Sequence, residues 1–380
     1  MERVFLRFDG QSVHNLAHTP SPAPGHCGPD ERLAGLVEAF CFHAHGLLRE
    51  DGGDWGARRD ALALLADRGF DPAQWGQLPV GLIVTPEAMR QRLLADGFTR
   101  AEIRDSRLVA DRRLAGRLVG PITDLAGQIT SFWARHPDAR EPAYLYWRRG
   151  WKQHVAAFGL QTALGAAGAA GQIVLVEDIL DALLLRSKGL RSAAALGDPI
   201  RRLDARRWQR LAAAGAGHVT LVADNHTTAG ARLLAVLEAA FAAEAAPSID
   251  AVPPERLAGA RTPGEFVHRQ GIGSFRDLLA HEPVHAYTLK AHDMLRKRRA
   301  RRGWTEAARR TAMDEAVAFY TWQSTRRRDT VELDAHFVPP IVEALGWAWG
   351  ARKAPAEPRP SARGYCTLHG CDETECFCFD

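Results

Sequence analysis

The sequence predicts an α/β protein in three parts that ends in a small Cys/His metal knuckle. Between residues 172 and 252, short apolar runs (IVLVE, SAAALG, HVTLVAD, SIDAV) alternate with helical stretches at 178–189, 204–214 and 227–243. That alternation is the pattern of a mainly parallel, doubly wound sheet. Before it, residues 108–135 change period and read as strand, turn, strand, turn, strand. After it, residues 264–350 read as all-helical and basic.

Residues 1–30 are an N-terminal extension with one alternating strand pattern, VFLRF, and a loop rich in Pro, Gly and His. Residues 31–165 form a mixed α+β region. Its first helix follows Asp30, a plausible N-cap. The break EDGGDWG precedes a second helix, ARRDALALLADRGF, and two more follow at 86–97 and near 100–107. In the strands of 108–135, DLAG is a hairpin-type turn. The parallel sheet occupies 166–255 and a helical subdomain 256–352. A Pro-rich linker, KAPAEPRPSARG, covers 353–364, and residues 365–380 form the tail.

Composition narrows the function class without naming it. With 380 residues, 46% apolar and 25% charged, the chain can bury a sizeable core. The formal charge of +4 permits a nucleic-acid partner without requiring one. RKRRARRGW (296–304) and TRRR (325–328) concentrate that charge, either as phosphate contacts, with Trp304 and Trp322 available for stacking, or as a solvated helix face. No apolar run reaches the roughly 20 residues that a membrane span needs, and the first residues lack a signal-peptide core, so a cytoplasmic protein is expected.

Three carboxylates stand at the sheet's C-terminal edge: Glu177 after the first strand, Asp181 four residues on, and Asp224 after the third strand. Such a set suits Mg²⁺ or Mn²⁺, hard cations that take oxygen ligands and keep sites for substrate phosphates. The alternative is that these acids merely begin the following helices. Two residues past Asp224, where a second carboxylate would complete a paired site, stands His226, which favours Mn²⁺ and softer ions over Mg²⁺. Cys41, His43 and His45 suggest ligands too, but residues two apart on a helix do not face each other.

IVLVEDILDALLLRSKGL, AAALGDPI and VTLVADNHTTAGARLLAVLEAA resemble the Toprim domain of bacterial DnaG-type primases, with its Val-Glu-Gly-x-x-Asp, Leu-Gly and Asp-x-Asp-x-Ala-Gly motifs. DRRLAGRLVGPITDLAGQITSFWAR (111–135), EPAYLYWRRGWKQHVAAFGL (141–160), ALALLADRGFDPAQWGQLPVGLI (61–83) and TPGEFVHRQGIGSFRDLL (262–279) are similar to other segments of that family, in the same order, over about residues 31–345. The resemblance implies a primase-type catalytic core: a metal-dependent nucleotidyltransferase that makes short primers from nucleoside triphosphates on single-stranded DNA, with a helicase or another protein subunit as a possible partner. Mobile-element replication and anti-phage defence are possible settings.

Carried over residue by residue, Glu177, Asp181 and Asp224 match the family's catalytic and metal-binding acids. Arg117, Arg135 and Lys152, with the neighbouring Arg148 and Arg149, fall where template and nucleotide phosphates are expected. The departures are as clear. His226 replaces the second Asp of the paired motif, Thr262 and Gly264 replace both acids of Asp-Pro-Asp, and Ala143 replaces the Lys of Lys-Tyr-Leu. Asp178, where the family has Gly, and Asp198 are candidate substitute ligands.

The family's zinc module precedes its polymerase core, and residues 1–30 do not supply one. Cys366, His369, Cys371, Cys376 and Cys378 in the tail instead offer five candidate Zn²⁺ ligands, where four suffice. Three functions are thus in competition: a divergent primase, a degenerate primase-fold subunit that binds nucleic acid or acts as a scaffold, and, last, a Toprim nuclease.

Overall fold

The computed structural model describes the backbone of residues 6–8, 13–15, 29–49, 55–138, 143–147, 156–197, 202–226, 228–302, 304–327, 330–345, 365–366 and 371–372. The chain divides into two compact units. One comprises residues 1–202, 210–230 and 247–283; the other comprises 203–209, 231–246 and 284–380.

In the first unit, β1 (Leu6–Phe8) and β2 (Val13–Asn15) form a short antiparallel hairpin. Helix α1 (Pro29–Arg49) starts one residue before Asp30, which therefore lies in its first turn instead of capping it. Proline suits a first helical position because its missing N–H would be unpaired there. Helix α2 (Trp55–Asp67) follows. Thr85 caps α3 (Pro86–Ala95), and a Thr99–Glu102 capping box opens α4 (Arg100–Ser106).

Beside these helices lies an antiparallel sheet in the order β3 (Gly81–Ile83), β4 (Arg117–Thr123), β5 (Ile129–Arg135), β6 (Tyr144–Tyr146). Leu36, Val37, Phe40 and Ala44 of α1 are buried, and Phe40 stacks on Phe132 with centroids 4.6 Å apart. A Cβ at Gly81 would come within 2.3 Å of the Ala44 backbone, so the helix rests directly on that strand.

The first strand expected after residue 107 does not form. Arg107 takes a left-handed conformation (φ 57°) at the end of α4, and Asp111 caps a 3₁₀ turn at Arg112–Leu114. Leu108, Val109 and Leu114 are buried all the same, which accounts for the apolar pattern. Cys41, His43 and His45 behave as ordinary α1 residues. Cys41 is buried, His43 Nε2 lies 2.6 Å from Asp96 Oδ2, and His45 Nδ1 lies 2.9 Å from the Val80 carbonyl.

The second sheet of this unit is parallel, with β7 (Gln172–Val176), β8 (Ala193–Ala195), β9 (His218–Val222) and β10 (Ser248–Val252) in the order β10-β9-β7-β8. The helices between these strands in the sequence are α6 (Ile179–Ser187), α7 (Ala205–Ala213) and α8 (Ala229–Ala242), the first half of α7 and nearly all of α8 being counted with the other unit, and α5 (Leu160–Ala167) lies ahead of the first strand. The strand interiors are apolar and buried, Ile173 to Val176 in β7 and Val219, Leu221 and Val222 in β9. From β7 the chain first crosses to β8 and then returns to β9 on the opposite flank. The C-terminal ends of β7 and β9 therefore flank the switch point of the sheet, where α/β proteins open a crevice. Helix α9 (Pro263–His281), N-capped by Thr262 and kinked at Gly271, completes the unit.

The second unit contains β11 (Val284–His285), α10 (Ala286–Arg302), α11 (Glu306–Arg327), a π-turn at Leu333–Phe337 and α12 (Val338–Leu345). Its core is aromatic, with Phe241 stacked on Tyr287 and Phe319 against Phe337. Part of the basic run is neutralised locally. Arg296 and Lys297 both pair with the buried Asp293, and Arg298 pairs with Glu315. In the tail, β12 (Tyr365–Cys366) and β13 (Cys371–Asp372) pair antiparallel, with Cys366 opposite Cys371 in register. Among the described residues, no helix is long and apolar enough to cross a membrane.

Candidate active site

The acids gather where β7 and β9 end. Glu177 follows β7 directly, and its Oε1 accepts the Asp224 N–H at 3.0 Å, which ties the two strand ends together. The spacing of four between Glu177 and Asp181 would place both on one face of a helix, but α6 begins only at Ile179, so Glu177 lies ahead of the helix and Asp181 within its first turn.

Asp181 lies in the first turn of α6 and is 1% exposed. Its Oδ1 accepts from Arg68 Nη1 at 3.1 Å. A Cβ on Gly264 would stand 2.2 Å from that same oxygen, so the N-terminus of α9 is seated on Asp181. The position where the resemblance expects an acid is thus closed by the acid already present.

The electrostatics of the cluster follow from this crowding. Asp224 is pushed up to about 9, first by burial and then by the charges of Glu177, Asp181 and Asp178, with Arg68 opposing. Asp181 is pushed up to about 7 by burial and by Asp178, against the pull of Arg68, the Thr262 hydroxyl and the Gly264 N–H. Among the described residues, Asp181 Oδ2 and Asp224 Oδ1 are buried and accept no hydrogen bond. Buried acid oxygens in that state are costly unless a cation meets them. They fit a divalent ion chemically, although no three His, Cys, Asp or Glu side chains among the described residues form a ready cage.

Asp178, a candidate substitute ligand, is a hub of hydrogen bonds in this structure. It caps α6 through the Leu180 N–H at 2.8 Å. It also accepts from the Tyr144 hydroxyl at 2.5 Å, Arg135 Nη1 at 3.0 Å and Arg68 Nη2 at 3.4 Å. Burial works against its charge, but the two arginines and the tyrosine hold its carboxyl below the usual value. Arg135 also lies over the Tyr144 ring at 5.0 Å. Burial disfavours its charge, yet Asp178 and Tyr144 keep the guanidinium above its ordinary value.

Sequence reading singled out neither Arg68 nor Tyr144. Their one visible signal was membership of segments already matched, the RGF turn and AYLYW.

Arg117 begins β4, one residue before the Leu118 that pairs with Arg135. Its Nε donates to the Arg113 carbonyl at 2.7 Å and its Nη1 to the Ala143 carbonyl at 3.0 Å, which locks β4 to the chain entering β6. His226 is half-buried in the loop after Asp224, with Nδ1 3.4 Å from the Thr228 hydroxyl, and its carbonyl accepts the Ala229 N–H as α8 begins. Arg148, Arg149, Lys152, Asp198, His369, Cys376 and Cys378 lie outside the described residues, as do the side chains of Cys366 and Cys371.

No family model matches the chain. A DNA primase of Synechococcus elongatus is 27% identical over 228 residues, a match spanning 57% of this chain and 31% of that protein. The chain thus corresponds to about a third of the length of that curated relative. Among solved structures, the zinc-binding and RNA polymerase domains of the Aquifex aeolicus primase superpose with a TM-score of 0.63 at 20% identity, covering 87% of this chain and 74% of that one. A DnaG primase catalytic domain bound to single-stranded DNA gives 0.65 at 16% identity, covering 84% and 97%. The RNA polymerase domain of Mycobacterium tuberculosis DnaG, in complex with a double-stranded DNA that carries a 6-nucleotide overhang, gives 0.62 at 19% identity, covering 84% and 98%. These likenesses give the fold as that of a primase catalytic core.

Proposed function

We propose that this chain, a divergent DnaG-type primase with the fold of the primase catalytic core, joins nucleoside triphosphates into short primers on single-stranded DNA. One observation carries the proposal. Two buried acid oxygens without a partner, Asp181 Oδ2 and Asp224 Oδ1, belong to acids that feel each other's charge at the switch point of the parallel sheet, where Glu177 also accepts the Asp224 N–H. Such a cluster is expensive for a protein to keep and is the donor set that phosphoryl transfer uses.

A Mg²⁺ or Mn²⁺ ion held by Glu177, Asp181 and Asp224 would supply the positive charge that triphosphate binding needs there. The chain's own residues do the rest. Glu177 holds the backbone of Asp224 in place, and Arg68 balances Asp181. Arg135 brings a second guanidinium to the edge of the crevice. With Gly264 seated on Asp181 and His226 in the paired position, the acids suit one tightly held ion and favour Mn²⁺.

The rival reading is a binding or scaffolding subunit. Its support is that Arg68 and Arg135 already neutralise Asp178 and Asp181, so this part of the cluster is balanced without an ion.

The deciding experiment is labelled primer synthesis on single-stranded DNA in Mg²⁺ and in Mn²⁺. Glu177→Gln should abolish products, a loss of at least about a hundredfold. His226→Asp should raise the Mg²⁺ rate relative to the Mn²⁺ rate. If neither metal gives product while DNA still binds in a salt-dependent way, the subunit reading stands.

A further inference from the structure

Asp178 receives four donors drawn from four separate places. Arg68 comes from the turn after α2, Arg135 from the last residue of β5, Tyr144 from the first of β6, and the Leu180 N–H from the first turn of α6. Two guanidinium groups, a phenol and a helix N-terminal amide are what a protein assembles around a phosphate oxyanion. Here a carboxylate of the chain itself stands among them.

The donor set is also not saturated. Arg135 is 8% exposed, and its Nε, among the described residues, is buried with no acceptor. A buried N–H without an acceptor is costly, and although Arg210 and Arg309 also leave Nε in that state, of the three only Arg135 has it within a cluster of acids and cations. Its spare donor and the neighbouring orphan oxygen of Asp181 both face shortages that a metal-bound phosphate would fill together.

We infer that Asp178 is an internal stand-in for substrate phosphate: it occupies Arg135 and Arg68 in the empty site, and an incoming triphosphate must displace it to reach them. The inference rests on the reading of this site as a nucleotide-joining centre. It adds a built-in competitor that sets how much nucleotide the site demands. Displacement need not cost the cap of α6, because the oxygen that accepts the Leu180 N–H is not the one that holds the two arginines.

The test is equilibrium binding of a fluorescent nucleoside triphosphate to the full chain, read by anisotropy at low salt, with a chelator present so that catalysis plays no part. Asp178→Asn keeps the helix cap and removes the competing charge. It should tighten binding about tenfold. In the Asp178→Asn/Arg135→Gln double variant that gain should vanish. Asp178→Ser also offers a cap for α6, carries no charge and should tighten binding about as much, which keeps the test open if Asp178→Asn folds poorly.

Equal affinity in wild type, Asp178→Asn and Asp178→Ser overturns the inference, as does a gain that survives loss of Arg135. In either case, wild-type binding that Mn²⁺ strengthens leaves the nucleotide-joining reading intact. Absence of binding by every variant, in chelator and in Mn²⁺ alike, removes both.

Discussion

Asp224 keeps its proton far beyond the pH at which a solvated aspartate releases it, and the sign of the consequence is fixed. Its pKa in the folded protein is about 9 against an ordinary 3.8. Between those values the unfolded chain has released the proton and the folded chain has not. Folding therefore takes up a proton, and stability falls as pH rises. Asp181, at about 7, adds to the fall until that pH is passed. Melting in a chelator should show a lower midpoint at about pH 8 than at about pH 5, with Asp224→Asn flattening most of the slope. Mn²⁺ should flatten it too. A midpoint that rises over the same range would mean that the acids are not crowded as described. Gly264 gives a second expectation at this scale. Restoring an acid with Gly264→Asp should not rebuild a metal ligand, because its Cβ would stand 2.2 Å from Asp181 Oδ1. The variant should lose about 1–3 kcal/mol of stability and gain no Mg²⁺-dependent rate.

The elements show where a local pattern is enough and where it is not. The parallel strands were legible because buried apolar runs flanked by helical stretches have few other readings. The acids at their ends were legible for the same reason: Glu177 and Asp224 sit where any doubly wound sheet opens. β3 and β6 are three residues each, too short to show a period of two. The segment at 108–110 is a short apolar run like the start of a strand, yet it follows the left-handed Arg107 at a helix exit, and Leu108 and Val109 are simply buried in the core. The clamp on Asp178 was invisible because its partners at 68, 135 and 144 come from three segments that meet only after folding. One element contact can be tested directly. Gly81 lies under the Ala44 backbone, which cannot swing aside as a side chain would. Gly81→Val should therefore destabilise by about 1–3 kcal/mol, read as a lower denaturation midpoint without loss of helix signal in the folded state.

For the whole molecule, the net charge of +4 says less than how the charges are arranged. In the second unit the buried Asp293 holds Arg296 and Lys297, so two cations of the basic run already have a counter-charge. Asp293→Asn should free both. Single-stranded DNA binding should then tighten at low salt, and the slope of log affinity against log salt should steepen by about one. An unchanged slope would assign the run to solvent. The first unit carries a longer consequence, because Gly264 and Asp181 now interlock. An acid placed at 264 meets Asp181 before it can serve as a ligand. Making room for it means first repositioning Asp181, which Arg68 and the start of α9 hold in place. The contact couples the two positions: 181 and 264 behave as one unit of variation, and a change at either is felt first at the other.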